Sequence, residues 1–205
     1  MILSLALLTA CEGPKTGYVG HSTHEYMALD GSRSWRYVND TTDYQLNVEK
    51  LDSQTVGDTE VVTLEYAEFD PYLLLGSIQW SSDSSDGIMI HGFSIEGQDT
   101  VTFDPPILVA DYQMVPGEIS TTETGDSTFT STFDAVETCP NEWVDDDWEC
   151  LKFTIATESG VSTYPFIGTW WLANAWGPSR FTAENGPFSA SSEWILSQAQ
   201  WSGGE

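Results

Sequence analysis

Short segments in which apolar and polar residues alternate follow one another along most of the chain, and this pattern constrains the fold more than any other feature. In residues 61–66, Val62, Leu64 and Tyr66 fall on one face of an extended strand, because side chains on a strand alternate with a period of two. Turn-forming pairs such as Gly57-Asp58 separate these segments at short intervals. The pattern therefore predicts an all-β protein.

The predicted strands number about a dozen, and no long segment has the 3.6-residue period of an amphipathic helix. The segment 193–201 has a weak helical pattern, but its β-rich surroundings favour a strand. A dozen short strands are typical of a single antiparallel β domain, built as a sandwich, a barrel or a strongly curved sheet. The predicted strands cover residues 34–38, 43–51, 59–68, 73–81, 87–95, 100–103, 117–122, 127–137, 149–157, 166–172, 179–183 and 189–201.

The chain begins with an apolar run, residues 1–10, that ends at Cys11. This run is too short for a membrane-spanning helix of about 20 residues and fits the apolar region of a signal peptide, roughly 7–15 residues. Leu8-Thr9-Ala10-Cys11 resembles the lipobox of bacterial lipoproteins, although no Lys or Arg precedes the run. The resemblance implies that residues 1–10 are a signal peptide and that Cys11 carries the lipid that attaches the protein to a membrane.

The residue after Cys11 is Glu12 rather than Asp. In enterobacterial lipoproteins Asp at this place favours inner-membrane retention, so the resemblance implies the outer membrane. Residues 11–25 are rich in Gly, Ser, Thr and His, and we expect them to form a flexible tether before the β domain at residues 26–205. The segment 21–25 contains two histidines and a glutamate, which we interpret as polar tether residues rather than as a metal site.

The chain is strongly acidic, with 6 Lys and Arg against 32 Asp and Glu and a formal net charge of -26. This charge repels phosphates, which excludes nucleic acid as a partner, and it repels anionic head groups, so membrane attachment depends on the lipid. The acidic excess has two explanations, a solvated surface suited to a saline exterior or calcium binding. The 9 Trp, 8 Tyr and 9 Phe argue against disorder.

The chain has three cysteines. If Cys11 is lipidated, Cys139 and Cys150 remain as one pair, and such a pair in an exported protein predicts a disulfide bond. Two cysteines alone do not supply the four ligands of a structural zinc site.

Three later segments are similar to a group of bacterial lipoproteins that have no established activity. In the opening segment Tyr26, Leu29, Trp35 and Tyr37 fall in register with that group's pattern, and segments 103–117 and 168–177 are similar to its middle and closing segments. The resemblance implies an all-β lipoprotein, and it carries no catalytic residues.

Two acidic loops and one aromatic cluster are the candidate ligand sites. Asp83 and Asp86 lie beside serines and a turn glycine, and the segment between the paired cysteines contains Asp145, Asp146 and Asp147. Calcium takes six to eight oxygen ligands, so either loop is a candidate calcium site, and no other cofactor is expected. A sugar ring stacks on exposed aromatic faces, which the cluster of Trp170, Trp171 and Trp176 offers if it is exposed.

The sequence contains no Gly-x-Ser-x-Gly motif and no phosphate-binding loop, and we interpret the isolated His91 as structural. It therefore predicts a non-enzymatic, envelope-anchored lipoprotein with a binding or assembly role, whose partner is a glycan or another envelope protein. The first alternative is a carbohydrate-active protein, either a sugar-binding module or a small glycoside hydrolase. The second is a carrier of lipid or lipoprotein, which requires a deep apolar cavity.

Overall fold

A computed structural model describes residues 20–139, 148–158, 164–184 and 193–202. Within these ranges the chain forms fourteen strands and a short 3-10 helix at Thr23–Tyr26. In chain order the strands are β1 His21–Ser22, β2 Ser32–Asn39, β3 Gln45–Val56, β4 Thr59–Phe69, β5 Tyr72–Asp83, β6 Gly87–Ile95, β7 Val101–Ala110, β8 Gln113–Met114, β9 Ile119–Thr124, β10 Ser127–Cys139, β11 Trp148–Thr157, β12 Gly168–Ala173, β13 Gly177–Phe181 and β14 Trp194–Ser202.

Twelve of the described strands form one antiparallel sheet, and β1 pairs with β8 in a separate two-stranded sheet. In the large sheet β2 to β7 and β9 to β14 are two meanders in which neighbours along the chain are neighbours in space. Pairing of β14 with β2 joins the two meanders, with Ala199 opposite Trp35. The predicted all-β, single antiparallel domain is confirmed, and the architecture is a nearly closed, barrel-like sheet.

The two edge strands, β7 and β9, approach each other where the sheet almost closes. The backbone N–H of Leu108 donates to Oγ1 of Thr122 over 3.0 Å, which bridges the two edges through a side chain. Pro105 and Pro106 lie on β7, and proline is tolerated at a sheet edge because it has no N–H to donate to a further strand.

Large aromatic side chains fill the interior of the sheet. Several of their polar atoms are hydrogen-bonded to the backbone: Nε1 of Trp35 donates to the carbonyl of Trp176 at 2.8 Å, and the hydroxyl of Tyr37 donates to the carbonyl of Pro178 at 2.6 Å. The interior is therefore packed with rings rather than hollow. The largest fully buried side chains are Trp35, Trp80, Trp170, Tyr37, Tyr66, Phe129, Phe133, Phe153, Phe166, Phe181 and Met27.

Each of the twelve predicted strands overlaps one strand of the large sheet, and segment 193–201, predicted as a strand, lies in β14. Strand β7 continues to Ala110, well past the predicted end at Phe103, because the edge position tolerates its two prolines. The two-residue strands β1 and β8 were not predicted, because a strand of that length has no detectable alternation.

The predicted tether at residues 11–25 is wrong for its last residues. His21 pairs with Met114 of β8, and Thr23 is fully buried, with its hydroxyl donating to the carbonyl of Asp111 over 2.6 Å. The ordered domain therefore includes residues 20–25. The predicted signal peptide and residues 11–19 lie outside the described residues. Within the described ranges, no helix has the length and apolar character needed to cross a membrane.

Candidate functional site

The outer face of the sheet carries a recessed groove across strands β14, β2 and β3. Its floor consists of two rows of side chains that run across the strands, because residues paired in register point to the same face. The first row is Gln198, Arg36 and Asn47, and the second is Gln200, Ser34 and Glu49. We call this feature the outer groove; its volume is about 240 Å³, and it is lined by Ser34, Trp35, Arg36, Asn47, Glu49, Phe69, Tyr72, Gln198 and Gln200.

The hairpin between β4 and β5 forms one wall of the outer groove. The guanidinium of Arg36 lies 3.7 Å from the centre of the Phe69 ring, so the hairpin is folded over the sheet face at this point. A register shift between Tyr66 and Ala67 interrupts the hairpin, and such bulges bend strands. Tyr72 closes the rim with 62% of its surface exposed, and its hydroxyl donates to Oε1 of Glu65 at 2.9 Å.

The outer groove combines donors, acceptors and charges of both signs. Nδ2 of Asn47 donates to Oε1 of Glu49 at 2.8 Å, and Glu49 lies opposite Glu65 in the pairing of β3 with β4. The hydrogen bond to Glu65 raises the pKa of Tyr72, and burial and the charges of Glu65 and Glu49 add to the effect. The phenol of Tyr72 is therefore a stable donor at neutral pH.

Arg36 differs from the other two arginines of the chain. Arg33 is 8% exposed and donates to Asp30 and to the carbonyl of Ala175, and Arg180 pairs with the carboxylate of Glu193. Arg36 and Arg180 share two features: Nε of each is buried with no hydrogen-bond partner in the described chain, and each guanidinium lies over an aromatic ring, Phe69 or Trp171. Arg36 differs in its ion pairing, because no carboxylate of the described chain lies within ion-pair distance of its guanidinium.

A second concavity, the end cleft, lies where the segment 20–31 closes one end of the barrel. The segment is held there by several contacts, including a hydrogen bond from the hydroxyl of Tyr26 to the carboxylate of Glu149. The end cleft is open and mixed in character, with a volume of about 490 Å³. Its lining residues are His24, Glu25, Met27, Ala28, Leu29, Asp30, Arg33, Glu60, Val62, Ser82, Asn174 and Ala175.

The predicted cysteine pair is joined in the structure. Cys139 at the end of β10 and Cys150 in β11 form a disulfide with Cα atoms 5.7 Å apart, inside the 4.4–6.8 Å range usual for such bonds. Both sulfur atoms contact the buried hydroxyl of Ser179, at 3.0 and 3.3 Å. The bond lies beneath Trp171 on the outer side of the sheet and stabilises the β10–β11 hairpin.

Asp83, a predicted calcium ligand, is engaged in its own turn. Its Oδ1 accepts hydrogen bonds from the backbone N–H groups of Ser85 and Asp86 and from the Ser85 hydroxyl, each at 2.7 Å. Partial burial would raise the pKa of Asp83, but these hydrogen bonds outweigh that effect and lower it. Asp83 therefore has a structural role as a turn cap.

No group of three or more His, Cys, Asp or Glu side chains in the described ranges has an arrangement that could hold a metal ion. Asp86 belongs to the same turn as Asp83, so the described part of this loop offers no set of converging carboxylates. The other predicted calcium ligands, Asp145, Asp146 and Asp147, lie outside the described residues, and that hypothesis stays a prediction.

The predicted aromatic platform is wrong for two of its three residues. Trp170 is 1% exposed and stacks on Phe181 in the core, with ring centres 4.8 Å apart. Trp171 is 4% exposed and lies between the disulfide cluster and the guanidinium of Arg180. Trp176 is half-buried against Trp148, with ring centres 5.1 Å apart. These rings contribute to packing rather than to a common exposed face.

His91 has the structural role that its sequence position suggests. Its Nε2 lies 2.8 Å from the hydroxyl of Ser81, which is 1% exposed. Burial lowers the pKa of His91, so the ring is neutral at physiological pH. A serine hydroxyl as buried as that of Ser81 is not accessible to a substrate.

Sequence reasoning missed the residues of the outer groove. Arg36, Asn47 and Gln198 are neighbours on the sheet but lie on three different strands and far apart in the chain. Their one sequence signal is that each occupies a polar, outward position of its strand, a property shared with most polar residues of a β domain.

Comparison with known proteins gives two distant structural likenesses. No family model matches the chain, and no curated protein matches it. A protein of Parabacteroides distasonis, provisionally described as a lipoprotein, is 12% identical with a TM-score of 0.47, over 85% of this chain and 98% of that one. A protein of Bacteroides fragilis, provisionally described as exported and with a YmcC-like fold, is 12% identical with a TM-score of 0.43, over 82% and 94%. Likenesses this distant carry no argument about activity.

Proposed function

We propose that this protein is a non-enzymatic lipoprotein of the cell envelope that binds its partner on the outer surface of the barrel. The observation that carries the proposal is where the described structure leaves room for a ligand. Aromatic rings such as Trp80 and Trp170 fill the interior, whereas the outer groove is an open concavity lined by amide, carboxylate and guanidinium groups and by the rings of Phe69 and Tyr72. Ligand sites are concavities that combine a few converging polar groups with apolar surface, and the outer groove has this character.

Two further features support the envelope location. The lipobox-like sequence ending at Cys11 supplies a site for a lipid anchor. The disulfide between Cys139 and Cys150 is a bond that persists in oxidising compartments and is rare in the cytosol. We propose the outer membrane as the anchoring site, because Glu12 rather than Asp follows Cys11.

The proposed anchor determines how the barrel is oriented. The described chain enters the domain at Gly20, beside the end cleft, whereas the tip of the β4–β5 hairpin lies at the opposite end of the strands. The nine peptide steps from Cys11 to Gly20 span at most roughly 30 Å, since an extended chain covers about 3.3–3.6 Å per residue. We therefore propose that the end of the barrel with the end cleft lies nearer the membrane, and that the hairpin wall of the outer groove lies farther from it.

The alternatives have less support. A carrier of lipid requires a deep apolar cavity, but the interior is occupied by side chains such as Trp35, Tyr37 and Phe153. Ser81 offers no accessible nucleophile, because its hydroxyl beside His91 is buried. The small glycoside hydrolase, which depends on two carboxylates, stays a prediction. The sugar-binding alternative agrees with the outer groove better than with the tryptophans on which it was first based.

The anchor is tested by the Cys11→Ser variant. We expect wild-type protein in the membrane fraction with acyl mass on the peptide that begins at Cys11, and the variant in the soluble fraction without that mass. Ser4→Ala, a small change within the apolar run, is the matched control and should stay with the membrane. Unchanged fractionation of Cys11→Ser together with an unmodified peptide would contradict the proposal.

The binding role is tested with a photo-activated cross-linking residue in intact envelopes. Placed at Gln200 in the outer groove, the group should give a discrete cross-linked product. Placed at Asp126, on an exposed turn between β9 and β10 away from the outer groove, it should give none. Equal products at both positions, or none at either, would count against binding at the outer groove.

A further inference from the structure

We propose that the outer groove binds a neutral sugar residue of an envelope glycan. The inference rests on the proposed function, which places the protein where such glycans are abundant. It assigns the site to the β14–β2–β3 face and the β4–β5 hairpin rather than to the cluster of Trp170, Trp171 and Trp176.

The floor of the groove matches the hydrogen-bonding chemistry of a sugar. Each sugar hydroxyl both donates and accepts, so a sugar site needs both kinds of partner close together. The amides of Asn47, Gln198 and Gln200 offer both, Arg36 adds donors, and Glu49 adds acceptors. Adjacent strands lie about 4.8 Å apart, so each row of three residues spans about 10 Å, enough to reach hydroxyl groups on both sides of one sugar ring.

The rim of the groove supplies an aromatic ring for the apolar face of a sugar. Tyr72 is 62% exposed, and its hydroxyl bond to Glu65 restrains the ring. A restrained and exposed ring loses little conformational freedom on binding, which favours stacking. Phe69 has a different role, because its ring lies against the guanidinium of Arg36 and fixes the position of that donor.

The charges of the groove favour a neutral ligand. Glu49 and Glu65 lie side by side at the groove in a protein of net charge -26, so an acidic sugar meets repulsion both locally and over the whole surface. Arg36 in the first row of the floor repels a cation. Neutral hydroxyl and acetamido groups satisfy the donors and acceptors without either penalty.

The size and openness of the groove set the expected affinity. Its volume of about 240 Å³ is below the roughly 300–1,000 Å³ of sites for drug-sized ligands, so it takes about one sugar ring. A single ring on an open surface binds with a Kd on the order of 1 mM. Repeated units of a glycan would raise the apparent affinity by local concentration.

The test uses the full mature chain in a detergent that has no sugar head group. The probes are tri-N-acetylchitotriose and maltotriose, which are neutral, and trigalacturonate, which is acidic. Saturation-transfer NMR detects contact, and titration gives Kd. We expect at least one neutral trisaccharide to bind with a Kd on the order of 1 mM, and trigalacturonate to bind at least about fivefold more weakly.

Variants locate the binding. Tyr72→Ala should weaken it at least about fivefold, and Tyr72→Phe should weaken it by a smaller factor, because the ring remains but the hydrogen bond to Glu65 that restrains it is lost. Gln198→Ala should weaken it by a smaller factor. Tyr112→Ala removes an aromatic ring that is 44% exposed and lies outside the groove, and it should leave Kd unchanged. Melting curves confirm that each variant is folded, and Tyr72→Phe with Gln198→Ala keeps the test informative if Tyr72→Ala does not fold.

Three results would overturn the inference: no contact with either neutral trisaccharide at about 10 mM, tighter binding of trigalacturonate, or neutral binding that survives all groove substitutions. None of these contradicts the anchor or the cross-link at Gln200, so failure of the sugar assignment is distinguishable from failure of the proposed function.

Discussion

At the residue scale, the fold depends on large buried rings, several of which have hydrogen-bonded polar atoms. Tyr26 is one such ring, 4% exposed and hydrogen-bonded to Glu149 of β11. Burial raises the pKa of Tyr26 to about 12, and the hydrogen bond to Glu149 adds to this effect. Since the unfolded chain has a tyrosine pKa of about 10, the neutral phenol contributes stability that depends on pH.

The contribution of Tyr26 is fully present below about pH 10 and is lost as pH rises towards about 12, because the unfolded state loses its proton first. We compare urea unfolding of the wild-type protein and Tyr26→Phe from about pH 8 upward. The difference in free energy of unfolding should be constant below about pH 9 and should shrink between about pH 10 and pH 12. A difference that stays constant up to the highest pH would contradict the assignment.

The disulfide is the second residue-scale test. The Cys139→Ser/Cys150→Ser variant should lose about 2–3 kcal/mol in free energy of unfolding, as the chain-entropy treatment gives for a short loop. Urea titrations under oxidising conditions measure the loss. Dithiothreitol should reduce the stability of the wild-type protein by a similar amount and leave the double variant unchanged. Free thiols at both positions in the exported wild-type protein would show that the bond does not form.

At the element scale, the segment of β1 and the 3-10 helix is part of the folded domain rather than a flexible tether. It contacts β8 through His21 and the carbonyl of Asp111 through Thr23, and so joins the N-terminal end of the domain to the connection between the two meanders. The polar composition of this segment predicted a tether because it contains few apolar residues. Pairing with β8 and the buried hydroxyl of Thr23 nevertheless attach it to the domain.

Thr23→Ala tests how strongly the segment is attached. Loss of the buried hydroxyl leaves the Asp111 carbonyl without that donor, so the free energy of unfolding should fall by about 1–3 kcal/mol. Thr121→Ala, at an exposed position of the edge strand β9, is the matched control and should stay within about 0.5 kcal/mol of wild type. Chemical denaturation measures both, and equal effects would mean that the segment adds little to stability.

At the scale of the whole molecule, the net charge of -26 makes the acidic surface repel itself. Raising sodium chloride from about 20 mM to about 500 mM should raise the melting temperature, because the screening length falls from roughly 20 Å to about 4 Å. Calcium chloride at matched ionic strength should add little.

A calcium-specific rise that Asp145→Asn abolishes would contradict the screening account and would support the calcium hypothesis for the loop at Asp145–Asp147. Asp83→Asn is the comparison variant. It removes a charge from a turn whose carboxylate is already engaged, so it should not change the response to calcium.

The sequence by itself determined where the strands of the large sheet lie along the chain. Period-two alternation and turn pairs such as Gly57-Asp58 are local signals, so a predicted strand overlaps each strand of the large sheet. For β6 the predicted bounds, 87–95, are the same as those in the structure. The number of cysteines was also sufficient to predict the bond between Cys139 and Cys150, because only these two remain if Cys11 carries a lipid.

Only the tertiary structure decided whether the strands form a sandwich, a barrel or a curved sheet. It also decided which aromatic rings are exposed. The two meanders join through the pairing of β14 with β2, between segments far apart in the chain, and the edges β7 and β9 then approach each other; no local pattern encodes either contact. A tryptophan such as Trp170 looks the same in sequence whether its face is buried or exposed. The outer groove arises because strand pairing brings Arg36, Asn47 and Gln198 together, and neighbours across strands are invisible to any pattern read along one strand.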